Sequence, residues 1–208
     1  MRKLLLHTCC APCGTSVFET LINEKEYAIT SFFYNPNIKP REEWEKRLCE
    51  LEKLVDLMNG DVDIVGANCV RPKGELVAEG QTGERSSPLQ LVVSEYDMGE
   101  FDNVACGMEH EPEGGARCQN CFHLRLHKTA EYAKTIGYDI FSTTLTASPH
   151  KNAELINKIG REISAELGIE YLERDFKKND GYKRSIELCK EMKIYRQNYC
   201  GCTMRGKK

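Results

Sequence analysis

Leu4-Leu5-Leu6-His7-Thr8-Cys9-Cys10-Ala11-Pro12-Cys13-Gly14-Thr15-Ser16 holds the first strand, the first turn and the first chemistry of the chain. Leu4 to Thr8 is a short apolar run that reads as a buried strand ending at Cys9-Cys10. Pro12, followed by Gly14-Thr15-Ser16, opens a helix with Val17, Phe18, Leu21 and Ile22 on one face, and proline suits a first helical turn. Outward from there, Tyr27 to Tyr34 is β-branched and aromatic and stops at the turn Asn35-Pro36-Asn37. Arg41 to Met58 is the clearest helix, with Trp44, Leu48, Leu51, Val55 and Met58 three or four apart. Asp61 to Val65 reads as a third strand. Strand and helix alternating in this way predict an α/β fold, a parallel sheet covered by helices.

Ala67 to Pro88 is polar and glycine-rich without period and reads as a loop excursion; Pro88 to Arg117 carries no clear pattern. Helical spacing resumes after Cys121 with Leu124, Ala130, Ala133 and Ile136, and a strand follows at Asp139 to Leu145. A further helix carries Leu155, Ile156, Ile159, Ile163 and Leu167. A short strand at Glu170 to Leu172 and a last helix at Tyr182 to Met192 lead into a cysteine-containing tail. With no internal repeat or low-complexity stretch, residues 1–208 read as a single α/β domain.

Composition narrows the classes. The chain has 208 residues, 40% apolar and 29% charged, enough to bury a full core. No apolar run approaches the roughly 20 residues that cross a bilayer. Met1 to Leu6 also reaches His7 and Thr8 too soon for a signal peptide, so the expectation is a cytoplasmic protein with no membrane partner. Net charge is −3, but Arg174 to Lys208 holds 11 Lys and Arg against 4 Asp and Glu. That basic segment is either a polyanion-binding surface packed on the site or a solvated helix face.

The anomaly is 11 cysteines. Seven fall in three short clusters: Cys9, Cys10 and Cys13; Cys118 and Cys121; Cys200 and Cys202. In the cytosol such thiols stay reduced, so clustering points to metal or thiol–disulfide redox chemistry rather than a disulfide framework. A structural zinc or a Cys₄ iron–sulfur cluster takes four ligands, and seven leave a surplus that fits a second metal or a redox dithiol. Thiolate softness suits zinc and iron–sulfur alike. Cys49 and Cys189 fall within helices and read as packing residues, and Cys69 and Cys106 stand alone. His123 and His127 have a spacing that suits zinc but also suits exposed or capping histidines, and His7 reads as a buried, hydrogen-bonded histidine beside the first cluster. Glu113-Gly114-Gly115 reads as a tight turn, whether or not it brings backbone to a ligand. No Walker loop or Gly-x-Gly-x-x-Gly is present. Tyr195-Arg196-Gln197-Asn198-Tyr199 mixes aromatic and polar groups as a splayed base requires, or ends a surface helix.

His7-Thr8-Cys9-Cys10-Ala11-Pro12-Cys13, Phe33-Tyr34-Asn35-Pro36-Asn37-Ile38, Glu113-Gly114-Gly115-Ala116-Arg117-Cys118, Thr143-Thr144-Leu145 with Ser148-Pro149, and Tyr195 through Cys202 together resemble the QueH-type epoxyqueuosine reductases. The resemblance runs nearly end to end, and only Ala67–Pro88 has no counterpart in it. It implies a Rossmann-like fold of the nucleotide α-hydrolase type with a Cys-rich helical C-terminal extension, the cysteine run standing where relatives hold a phosphate loop. It implies iron–sulfur-dependent, two-electron deoxygenation of epoxyqueuosine to queuosine at the tRNA wobble position, with a [4Fe–4S] cluster, an additional mononuclear iron and an external electron donor. Its ligand residues map onto Cys9, Cys10, Cys13, Cys118, Cys121, Cys200 and Cys202, undivided between cluster and lone iron. By neighbourhood, Tyr199 or His7 supplies a proton, Arg117 and Arg196 contact substrate, and Asn35 and Glu113 contact the modified base or its sugar or else order the site. Lys39, Arg41, Lys183, Arg184, Lys190 and Lys193 are candidates for anticodon-stem phosphates. The rivals are a zinc-stabilised RNA-binding protein without redox activity and a thiol-dependent tRNA sulfur transferase, which the missing phosphate loop disfavours.

Overall fold

The computed structural model describes residues 1–60 and 89–202. Strand β1 (Arg2–His7) leads into helix α1 (Ala11–Glu24), then β2 (Tyr27–Phe33) and α2 (Arg41–Met58). After residue 88 come β3 (Leu89–Val93), α3 (Met98–Ala105), α4 (Ala116–Ile136), β4 (Ile140–Thr143), α5 (Ala153–Leu167), β5 (Glu170–Tyr171) and α6 (Gly181–Glu191). The five strands form one parallel sheet in the order β3-β2-β1-β4-β5. That is the doubly wound order, in which ligands bind beyond the carboxyl ends of the strands where the winding reverses, here between β1 and β4.

Strand alternation sends side chains to two layers. Leu4, Leu6, Ile29, Phe33 and Ile140 face α1 and α2, while Leu5, Phe32 and Phe141 face α4 and α5. The inner strands β1, β2 and β4 are therefore buried on both sides over most of their length. Pro12 lies in the first turn of α1, which places Cys10 at its N-cap in extended backbone. No helix among the described residues is long and apolar enough to cross a membrane.

Three expectations need correction or completion. The strand expected at Asp61–Val65 and the excursion Ala67–Pro88 lie outside the described residues. The strand beside β2 is β3, inside the stretch that carried no pattern, because an edge strand with only Leu89 fully buried has no alternation to display. Helix α4 starts at Ala116, ahead of both Cys118 and Cys121 rather than after them, and α3 is capped by Asp97, whose carboxylate accepts from the Gly99 amide at 2.8 Å.

Helix α5 lies so close to β5 that a Cβ on Gly160 would sit 2.4 Å from the Tyr171 ring, whose hydroxyl donates to Asn157 at 2.9 Å. Gly160→Val is expected to lose about 1–3 kcal/mol by overpacking. A lower urea midpoint at unchanged m value is the expected reading; a wild-type midpoint would mean that α5 simply slides outward.

Candidate metal and substrate site

The chain leaves β1 at His7 and turns through Cys9 and Cys10 into α1, which carries Cys13. The three sulfurs lie within 4.8 Å of one another and form a group that could hold a metal ion. Cys9 and Cys10 are 6% and 4% exposed, their sulfurs 3.7 Å apart, and the Thr144 hydroxyl donates to Cys9 Sγ at 3.7 Å. Hydrogen bonds from Cys10 and Cys13, with help from Lys151, hold Cys9 well below the ordinary thiol value. Cys13 pulls Cys10 down, but Cys9 and burial win and push it up to about 12. Cys10 and Cys9 likewise raise Cys13. Burial and mutual crowding thus oppose ionisation of Cys10 and Cys13, and a metal cation in place of the protons is what would let all three ionise.

The second thiol set is assembled from distant segments. Cys118 and Cys121 occupy the first turns of α4, and Cys200 and Cys202 come from the C-terminal strap. All four line a small cavity of about 30 Å³ with Phe101, Phe122, Arg117 and Arg125. Burial, against the pull of Arg125, pushes Cys121 up to about 12. Gly114, at φ +92, turns its amide toward Cys118 Sγ at 3.3 Å, so the Glu113-Gly114-Gly115 turn does bring backbone to a sulfur.

Arg47 moors the strap. Its guanidinium is 3% exposed, donates to Glu43 at 2.6 Å, and donates to the Cys200 and Tyr199 carbonyls at 2.8 and 3.3 Å. Gly201, at φ +98, passes so close that a Cβ would meet that guanidinium at 3.0 Å, and its carbonyl accepts from the Lys39 amide.

A larger cavity of about 330 Å³ opens above the first thiol set, at the lower end of the usual small-molecule range. Cys9, Cys10, Cys13 and Cys200 line it, as do Asn35, Arg125, Lys151, Tyr182, Arg196 and Tyr199. Cys200 and Arg125 line both cavities. All seven clustered cysteines thus border one or the other, and all seven are free thiols, so no disulfide joins them.

The profile of the epoxyqueuosine reductase QueH family matches residues 4–208.

The chain belongs to the QueH family.

Two QueH relatives, from Streptococcus pyogenes serotype M1 and Staphylococcus epidermidis, are each 39% identical over 99% of this chain and over 71% and 77% of their own length. A third, from Thermotoga maritima, is 34% identical over 97% of this chain and 89% of its own. All are named epoxyqueuosine reductase, and this QueH family member is accordingly an oxidoreductase. A solved structure described as a "predicted subunit of tRNA methyltransferase" from Methanocaldococcus jannaschii aligns with 90% of this chain and 76% of its own, at TM-score 0.49 and 13% identity.

In this QueH chain several expected site residues take other roles. His7 is fully buried and does not line the large cavity: its Nε2 donates to the Tyr34 carbonyl at 3.1 Å, which leaves Nδ1 to accept from the Thr143 hydroxyl at 2.9 Å. Desolvation, then the Arg125 charge, lower it to about 3, which favours the neutral ring that ties the strand ends together. Asn35 borders the cavity but spends both ends of its amide on Thr8 and Arg125. Arg117 is buried and clasps the Met108 and Glu109 carbonyls at 3.0 Å, so it organises the loop before α4 and lines only the small cavity. Glu113 borders both cavities. Arg196 and Tyr199 are exposed at the mouth, Arg196 stacked over Tyr182 and donating to its hydroxyl at 3.0 Å. The two helix histidines stack at 5.6 Å, and His127 faces Glu131 and Glu166 outside both cavities.

Much of the expected phosphate-binding charge is committed within the protein. Lys39 pairs with Asp102, Arg41 with Glu45, and Arg184 with Glu19, Glu187 and Glu191. Cys189 is a core residue as expected, and Cys106 is exposed.

Three residues were overlooked in the sequence: Arg47, Arg125 and Lys151. Arg125 had a legible signal, since Cys118, Cys121 and Arg125 fall on one helical face once α4 begins at Ala116. Lys151 had none, because its place depends on the loop between β4 and α5 folding over β1.

Proposed function

We propose that the chain reduces epoxyqueuosine to queuosine at the wobble position of tRNA, in the cytoplasm, with a [4Fe–4S] cluster and an additional iron held by the seven thiols. The observation that carries this reading is the pair of adjoining cavities: four sulfurs around the small one, three more beneath the large one, with Cys200 bordering both. Seven donors exceed what one tetrahedral ion or one cluster takes, and soft thiolates suit iron–sulfur ligation. Overall the reaction converts an epoxide to an alkene and water, consuming two electrons from an external donor and two protons. The iron–sulfur and iron centres, when bound, supply single electrons and Lewis acidity.

The protein's own residues handle the rest. The large cavity takes the modified base. Tyr199 borders it with a phenol that burial and Glu43 raise above its ordinary value, and so carries the proton delivered to the departing oxygen. Arg196 at the mouth meets an anticodon phosphate. Lys151 also lines the cavity; burial works against its charge, but Cys9, Cys13 and Cys200 overcome this and favour the protonated form. It orients the substrate oxygen.

The decisive experiment is anaerobic reconstitution with iron and sulfide, metal and sulfide analysis, and an assay on epoxyqueuosine-containing tRNA with dithionite. Visible absorption that bleaches on reduction, iron exceeding sulfide, and queuosine formation are expected. A colourless protein with about one zinc and no turnover would instead make this a zinc-stabilised RNA-binding member. In the active enzyme, Lys151→Met is expected to lower kcat/KM about 10–100-fold, the worth of a hydrogen bond to a charged group, with iron content unchanged. An unchanged kcat/KM would remove Lys151 from the substrate's surroundings.

A further inference from the structure

Ligation accounts for the thiols, but not for a cation that the fold seals between them. Arg125 is 2% exposed and lines both cavities. Its Nε donates to the Cys121 carbonyl at 3.2 Å and Nη1 to Asn35 at 3.4 Å, while Nη2 is buried with no acceptor. No Asp or Glu pairs with it among the described residues. A guanidinium does not shed its proton at any working pH, so it cannot escape the cost of burial by neutralising.

The neighbouring cations are provided for. Arg47 has the Glu43 carboxylate, and Lys151 lies on the cavity wall, partly exposed. The charges nearest Arg125 are those of sulfur: its strongest electrostatic partners are Cys121, Cys200, Cys9 and Cys118, drawn from both thiol sets.

We infer that Arg125 is the counter-ion of the metal–thiolate assembly, a positioning residue whose buried, unpartnered Nη2 is provided for the negative charge that builds up when metal ionises the surrounding thiols. The inference rests on the proposal that these thiols hold metal, and is indifferent to which metal. In the metal-free chain the charge is incompletely compensated and costs stability; loading relieves it. Arg125 thus makes metal binding tighter and, for a redox-active centre, eases reduction by offsetting the added electron.

The test compares wild type, Arg125→Met and Arg125→Lys. With Co²⁺ alone as a probe of thiolate ligation, followed by its sulfur-to-metal absorption, R125M is expected to bind at least tenfold more weakly and R125K to recover most of the loss. Metal-free R125M is expected to melt at or above the wild-type temperature. In iron-reconstituted protein the R125M midpoint is expected to move negative by about 59 mV or more, a tenfold change for a one-electron couple.

Equal Co²⁺ affinity in R125M, or a metal-free melting temperature that falls with no rescue by lysine, would overturn the inference in favour of a packing role. If wild type binds Co²⁺ through sulfur but assembles no iron–sulfur centre, the reductase reading fails; weaker Co²⁺ binding by R125M would still sustain this one. A wild type that shows no sulfur-to-cobalt absorption would overturn both.

Discussion

Cys10→Ser is expected to bind less metal and to lower epoxyqueuosine reduction about a thousandfold or more, while the metal-free chain folds as well as wild type. The three sulfurs of Cys9, Cys10 and Cys13 become two, and a serine hydroxyl is neither soft nor readily ionised. Removing several kcal/mol of metal-derived stabilisation corresponds to about three decades in rate. The fold is spared because Cys10 is the N-cap of α1 and caps nothing with its side chain, whereas serine is among the preferred N-caps. Metal analysis, turnover and a melt of the stripped protein separate the effects. Full metal content with full turnover would remove Cys10 from the ligand set, and a collapsed metal-free melt would mean that its role is structural.

Arg47→Met is expected to destabilise the chain by about 3–5 kcal/mol and to cost the metal held with Cys200 and Cys202. The substitution strands Glu43, whose side chain is 11% exposed, without its partner, and removing one member of a buried pair has that price. It also frees the Tyr199 and Cys200 carbonyls and so unmoors the strap that delivers two thiols and the cavity tyrosine. Urea unfolding gives the stability, and metal per chain gives the site. A stability change below about 1 kcal/mol with full metal content would show that the strap holds itself in place. Gly201→Ala probes the same contact from the other side, since φ +98 and the guanidinium at 3.0 Å both oppose a Cβ.

The two substitutions differ in how far the sequence reveals them. Cys10 is evident from Cys9-Cys10-Ala11-Pro12-Cys13 alone, because its partners are neighbours in the chain. Arg47 lies inside a helix with ordinary periodicity, and its contacts to Tyr199 and Cys200 span 152 and 153 residues. The same contrast separates β1, β2 and α2, which sequence pattern places well, from β3, an edge strand of Leu-Gln-Leu-Val-Val with little burial to imprint a period. His7 is the buried, hydrogen-bonded histidine that its place beside the first cluster suggests, but its partners, the Tyr34 carbonyl and the Thr143 hydroxyl, come from distant parts of the chain and are not legible in the sequence. The internal partners of Arg117 and Asn35 are hidden from the sequence for the same reason.

Local chemistry therefore determined the alternating strands and helices, the donor type, the excess of sulfur over one four-ligand site, and the resemblance to QueH. Periodicity and side-chain identity are properties of consecutive residues and need no folded context. Tertiary structure alone decided that the thiols divide between two adjoining cavities, that Lys39 pairs with Asp102 and Arg184 with Glu19, and that Arg125 is buried among sulfurs with no carboxylate paired to it among the described residues. Charge compensation and desolvation act through space over a few ångströms, and only the closed sheet brings those residues within that range.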